Sequence, residues 1–135
     1  MGTVTAVSRI KAWVRQCAAE LYCRIPNRLA GLRGKVTIVT YHRVLPLADV
    51  HEQCVQPGMY VSLDVFERHL DFLAAEFQLL TSSELLSLWR TRRWDAAARY
   101  CVITFDDGWL DTYQHAWPIL ERHRAPATVF LPTAY

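Results

Sequence analysis

Hydrophobic positions along the chain fall into blocks whose period changes from helical to strand-like several times. Val7, Ile10, Val14, Cys17, Ala18 and Leu21 recur at three- and four-residue steps with Trp13 beside them, which predicts an amphipathic helix over residues 4–23. Pro26 and Asn27 end it, and Gly31 to Gly34 supply a loop. Val36-Thr-Ile-Val-Thr-Tyr41 reads as a strand, and residues 45–61, marked by Pro46, Pro57 and Gly58, as a surface loop. Ser62 is expected to cap a helix whose inner face carries Phe66, Leu70, Leu73 and Phe77. Thr81-Ser-Ser-Glu84 has the form of a capping box ahead of Leu85, Leu86, Leu88 and Trp89. Tyr100 to Phe105 is a continuous apolar run, the pattern of a strand buried on both faces. Residues 109–124 carry helical spacing that Pro118 should kink or split, and Ala127 to Leu131 forms a last strand halted by Pro132.

Strands separated by helices, with no internal repeat and no hairpin dipeptide between them, predict parallel pairing through βα units and an α/β fold. In such folds active sites gather at the carboxyl ends of strands. His42 follows one predicted strand, and Asp106 and Asp107 follow another, so the topology is expected to bring them to one mouth.

Composition alters this picture little. At 135 residues, with 52% hydrophobic and 21% charged, the chain has the make-up of one globular domain. No apolar run approaches the roughly 18–20 residues of a membrane span, and Arg9, Lys11 and Arg15 interrupt any secretory apolar segment. The four cysteines, Cys17, Cys23, Cys54 and Cys101, have neither CxxC nor zinc-knuckle spacing, so a reduced, cytoplasmic setting is expected, with Cys101 a small core residue. Charge is lopsided. Residues 1–43 hold eight of the fifteen Lys and Arg against one acid, Glu20, whereas the remainder holds seven basic residues and twelve acids. The basic helix over residues 4–23 has two readings: packing on the following domain, or lying on anionic lipid at the inner face of the membrane. Nucleic acid is not an expected partner, because the basic residues are not interleaved with stacking aromatics.

The candidate chemistry sits in Thr104-Phe-Asp-Asp-Gly108. Two adjacent carboxylates after a greasy strand repel one another, and a divalent cation removes the conflict: one carboxylate binds it while the other takes a proton from water. The bland alternative has Asp106 capping the next helix and Asp107 solvated. A phosphatase of the haloacid dehalogenase type also places acids after an apolar strand, but it needs them one residue apart, and here they are adjacent.

The five residues from Thr104 to Gly108 resemble the first motif of the polysaccharide deacetylases, the NodB-homology or carbohydrate esterase family 4 domains. Val39-Thr-Tyr-His-Arg-Val44 resembles that family's opening strand, and Phe66 to Leu73 and Leu79 to Leu86 its next segments. Asp111, Tyr113, Ala116, Pro118, Ile119 and Leu120 follow the motif as in the family, and Ala125-Pro-Ala-Thr-Val-Phe-Leu131 is similar to its next strand. The resemblance implies a distorted (β/α) barrel that removes acetyl groups from N-acetylated glycans with a divalent metal, zinc above all. It implies Asp106 as general base and Asp107 as the metal-binding carboxylate, with His42 near the pocket mouth. Trp109 either lines the pocket or packs in the core.

The same resemblance places the remaining metal ligands in a later histidine motif that residues 1–135 do not contain; His51, His69, His115 and His123 lack ligand spacing. The expected organisation is therefore a basic helix and linker over residues 1–35, then the front part of a deacetylase domain over residues 36–135. An incomplete barrel leaves an open edge, from which self-association is expected. A fragment that binds a sugar or a membrane surface without turnover is the alternative.

Overall fold

The computed structural model describes residues 13, 14, 17, 18, 21, 22, 24, 25, 27–52 and 55–134, apart from the side chain of His51. The chain divides into two compact units, residues 1–31 and 32–135. In the first, Trp13, Val14, Cys17, Ala18, Leu21 and Tyr22 are helical and exposed, and Arg24 and Ile25 close the last turn on the carbonyls of Leu21 and Tyr22. The rest of the helix predicted over residues 4–23, and with it the lipid-facing surface expected there, lies outside the described residues. Among the described residues no helix is long and apolar enough to cross a membrane.

The second unit is built on a parallel sheet. Strand β1 (Lys35–Tyr41) pairs along its whole length with β5 (Arg99–Phe105), from Lys35 opposite Arg99 to Tyr41 opposite Phe105. The other side of β5 pairs with the short β4 (Gln78–Leu79) near its start and with β6 (Ala127–Val129) near its end. All the pairings are parallel, as strands alternating with helices require. The sheet is open: among the described residues no strand pairs with the outer edge of β1.

β5 is the centre because its residues from Tyr100 to Phe105 are buried on both faces. Side chains alternate, so Cys101, Ile103 and Phe105 face one layer and Tyr100 and Val102 the other. The first layer is filled by helix α2 (Leu63–Glu76) through Phe66, Leu70 and Leu73, and by Ile119 and Leu120 of α4 (Trp117–Arg122). Tyr41 meets Phe66 edge-on at 5.0 Å between ring centroids and stacks on Phe105 at 5.5 Å. Each fully buried Phe or Leu here contributes about 1.5–3 kcal/mol. The second layer takes Leu85 and Leu88 of α3 (Ser82–Thr91), with Trp94 packed edge-on against Tyr100.

The capping box forms as predicted: the Glu84 N–H donates to Thr81 Oγ1 at 3.1 Å, and the Thr81 N–H donates to Glu84 Oε2 at 2.7 Å. The Thr81 backbone N–H and then its hydroxyl, both donating to the Glu84 carboxylate, hold that carboxyl below its ordinary range. Ser62 occupies the N-cap of α2, but its hydroxyl turns to Asp64 and caps no backbone N–H.

Residues 45–61 are not a loop throughout. β2 (Arg43–Leu45) pairs in parallel with β3 (Tyr60–Ser62), and helix α1 (Leu47–Glu52) lies between them. Pro46 has the look of a breaker in the sequence but falls between β2 and α1, where a missing N–H costs nothing. Pro118 splits the helix after the acidic pair, and it does so through a π-helical turn at Thr112–Ala116. Its ring removes a donor and crowds the carbonyl four residues back, so the turn widens and the Trp117 N–H reaches the Thr112 carbonyl.

Candidate functional site

The register of β1 and β5 determines which side chains meet. Because Tyr41 stands opposite Phe105, the next residues, His42 and Asp106, leave the two strands side by side. The Asp106 N–H donates to the Tyr41 carbonyl at 3.0 Å, extending the ladder by one bond. His42 Nε2 then lies 3.9 Å from Asp106 Oδ2, and both side chains are partly open to solvent, at 32% and 39% exposure. The convergence expected of His42 and Asp106 is thus present.

After Asp106 the chain turns sharply through two left-handed residues, Asp107 at φ +68° and Gly108 at φ +61°. Aspartate tolerates this region better than most residues. Glycine is required next. A Cβ on Gly108 would lie 2.3 Å from Leu131 Cδ2, in the segment that follows β6, whose Phe130 N–H is bonded to the Phe105 carbonyl at 2.8 Å. The Asp107 carboxylate is exposed and accepts no hydrogen bond from a described residue. Asp106 caps no helix either, so the bland reading of the pair holds only for the solvation of Asp107.

Trp109 is 47% exposed, so it is not a core residue. One side of its ring lies under the Arg43 guanidinium, 4.6 Å from Cζ to the ring centroid, a cation–π arrangement. With Thr112, Tyr113, Trp117, Val129 and Leu131 it borders a shallow cavity of about 260 Å³ beside Gly108. A larger apolar groove, about 950 Å³ between β1 and α3, lies away from the acidic pair and includes only Lys35 as a charged lining residue.

Arg43 and Asp111 are the functional-site neighbours that sequence patterning did not single out as such. Asp111 is buried, its side chain 6% exposed, and it is doubly bonded: Arg43 Nε donates to Oδ2 at 2.8 Å and the Val44 N–H to Oδ1 at 3.2 Å. One signal was available, since Asp111 shares the buried face of its helical segment with Thr112, Ala116, Ile119 and Leu120.

His69 and His123 have partners of their own. Nδ1 of His69 pairs with the Tyr41 hydroxyl at 3.1 Å, and burial together with the Arg68 charge lowers its pKa. His123 lies between Glu67 and Asp71, at 3.7 and 3.6 Å. Among the described residues no three His, Cys, Asp or Glu side chains are grouped to hold a metal. A catalytic zinc takes three protein ligands, so Asp107 offers one ligand and these residues do not fit a complete metal centre.

An open parallel sheet flanked by helices, with an acidic pair at the carboxyl end of its central strand, defines an α/β domain of the kind found in the deacetylases compared below. Residues 94–135 match the polysaccharide deacetylase family model. Over 88 residues the chain is 34% identical to YxkH of Bacillus subtilis (strain 168), whose name assigns it to the polysaccharide deacetylases; the match covers 64% of this chain and 31% of that protein. The fold is similar to the Streptococcus pyogenes deacetylase PplD, solved in complex with acetate, with TM-score 0.60 and 26% identity over 71% of this chain and 42% of that one. It is also similar to IcaB from Ammonifex degensii, with TM-score 0.57 and 28% identity over 71% of this chain and 37% of that one. By sequence and fold together the chain is similar to the polysaccharide deacetylases. It spans about a third of the curated relative's length and about two-fifths of each of these structures.

Proposed function

We propose that the protein takes part in hydrolysis of the acetamide of N-acetylated glycans, with Asp106 as general base. The observation that carries this reading is the placement of Asp106: it ends the buried central strand, uncapped and half open, beside His42 and next to a strained glycine turn. A carboxylate so placed can take a proton from a water that attacks the acetamide carbon. His42 Nε2, 3.9 Å from Asp106 Oδ2, stands beside the carboxylate that would take the proton. The exposed faces of Trp109 and its aromatic neighbours suit the apolar side of a sugar ring.

Deacetylases of this family generally use a divalent metal, which would polarise the carbonyl oxygen. Asp107 is the carboxylate that the family resemblance assigns to it, and the described residues add no second or third ligand.

Acetate release from N-acetylglucosamine oligomers by the full-length protein, with and without added zinc, cobalt or nickel, tests the proposal. Release that needs Asp106 supports it, and no release under any metal overturns it. That the described residues supply only Asp107 toward a metal favours one second reading, a glycan-binding module without turnover. Oligomer binding without acetate release would establish that alternative.

A further inference from the structure

Asp111 is a buried carboxylate whose two bonds reach back 68 and 67 residues, to the segment immediately after His42. One bond holds the Arg43 side chain and the other the Val44 backbone N–H. On the opposite side of His42, the Tyr41 carbonyl is held by the Asp106 N–H at 3.0 Å. His42 is therefore bracketed: its preceding residue is fixed to Asp106 and its two following residues are fixed to Asp111. Arg43 also lies on the Trp109 ring, so the same carboxylate is linked through it to the residue that follows the Asp106-Asp107-Gly108 turn.

We infer that Asp111 is a positioning residue that sets the approach of His42 to Asp106 through Arg43 and the Val44 backbone. This rests on the deacetylase reading of Asp106 for its catalytic consequence, though not for its geometry. A buried charge-assisted pair costs desolvation and is a poor device for stability alone. Its two oxygens aimed at two successive residues make it a good device for orientation. Displacing a reacting group by about 1 Å costs up to about a hundredfold in rate.

The test uses the full-length protein and two readouts. The first is turnover on N-acetylglucosamine oligomers. In Asp111→Asn, kcat is expected to fall about ten- to a hundredfold, with KM within about twofold of wild type. The second needs no turnover: nitrogen–proton spectra of the imidazoles at one fixed pH. The His42 cross-peaks of Asp111→Asn are expected to move toward the positions they take in Asp106→Asn, where the facing charge is gone. Arg43→Lys, which keeps the cation and loses the Nε bond, is expected to do the same and stands in if Asp111→Asn does not fold. His42 cross-peaks unmoved in the folded variants would overturn the inference. If the wild type releases no acetate, the functional reading fails by itself and the His42 spectra still test the positioning role.

Discussion

Gly108 and Leu131 are packed so closely that a Cβ on the glycine would sit 2.3 Å from Leu131 Cδ2. That contact ties the turn carrying the two acids to the segment after β6. The left-handed φ of +61° strains any side chain at this position, and the flexible end of Leu131 would also have to shift. Gly108→Ala is expected to destabilise by about 1–3 kcal/mol, from left-handed backbone strain and a displaced Leu131 rotamer. The urea midpoint should fall at constant slope. Adding Leu131→Ala should relieve the steric part and leave the backbone part. An alanine variant as stable as the wild type would contradict the turn geometry.

Asp107 carries the second left-handed conformation, and no described residue hydrogen-bonds its carboxylate. Such strain persists at sites kept for function. Asp107→Gly is therefore expected to be at least as stable as the wild type, despite glycine's entropy cost. A β-branched Asp107→Val should lose about 1–2 kcal/mol. Thermal melts of the three proteins give the order, and a valine variant equal to aspartate would remove the strain argument.

Stability should also decline on the alkaline side, for a reason seated in the core. Burial pushes the Cys101 thiol from its ordinary 9.0 to about 11. Burial, aided by Cys101, pushes the Tyr41 hydroxyl from 10.0 to about 12. Both groups bind their protons more tightly in the folded state. Their contribution is complete below the unfolded values and is lost as pH rises, from about 9 to 11 for the thiol and from about 10 to 12 for the phenol. Cys101→Ala is expected to lower stability at neutral pH by leaving a small cavity, and to flatten the decline that begins near pH 9. Denaturation curves between pH 8 and pH 11 check this; a decline of equal slope in the alanine variant would rule the thiol out.

Much of this architecture was legible in the sequence where a pattern is long or a motif local. β1 and β5 are seven residues each with unbroken apolar or β-branched runs, and α2 shows its inner face through Phe66, Leu70 and Leu73. The Thr81–Glu84 box needs only three residues of separation to be seen. β2 and β3 escaped because three-residue strands hold too little periodicity, and Pro46 looked like a breaker although it starts a helix. In the site, His42 and Asp106 could be foreseen as neighbours because both end strands of a parallel fold. The Arg43–Asp111 pair could not, since its partners are 68 residues apart and meet only through tertiary packing. Trp109 stayed ambiguous because an aromatic after a glycine turn suits a core and a surface equally. The guanidinium over its ring, with half its surface open, decides for the surface.

The most direct test of the account is the rate of acetate release from N-acetylglucosamine oligomers by the full-length protein, wild type against Asp106→Asn, at saturating substrate and matched metal. Removal of a general base is expected to lower kcat by about a hundred- to ten-thousandfold, while the folded structure and glycan binding persist. Equal rates from the two proteins would show that the proton is taken elsewhere and that the end of β5 is not the hydrolytic centre.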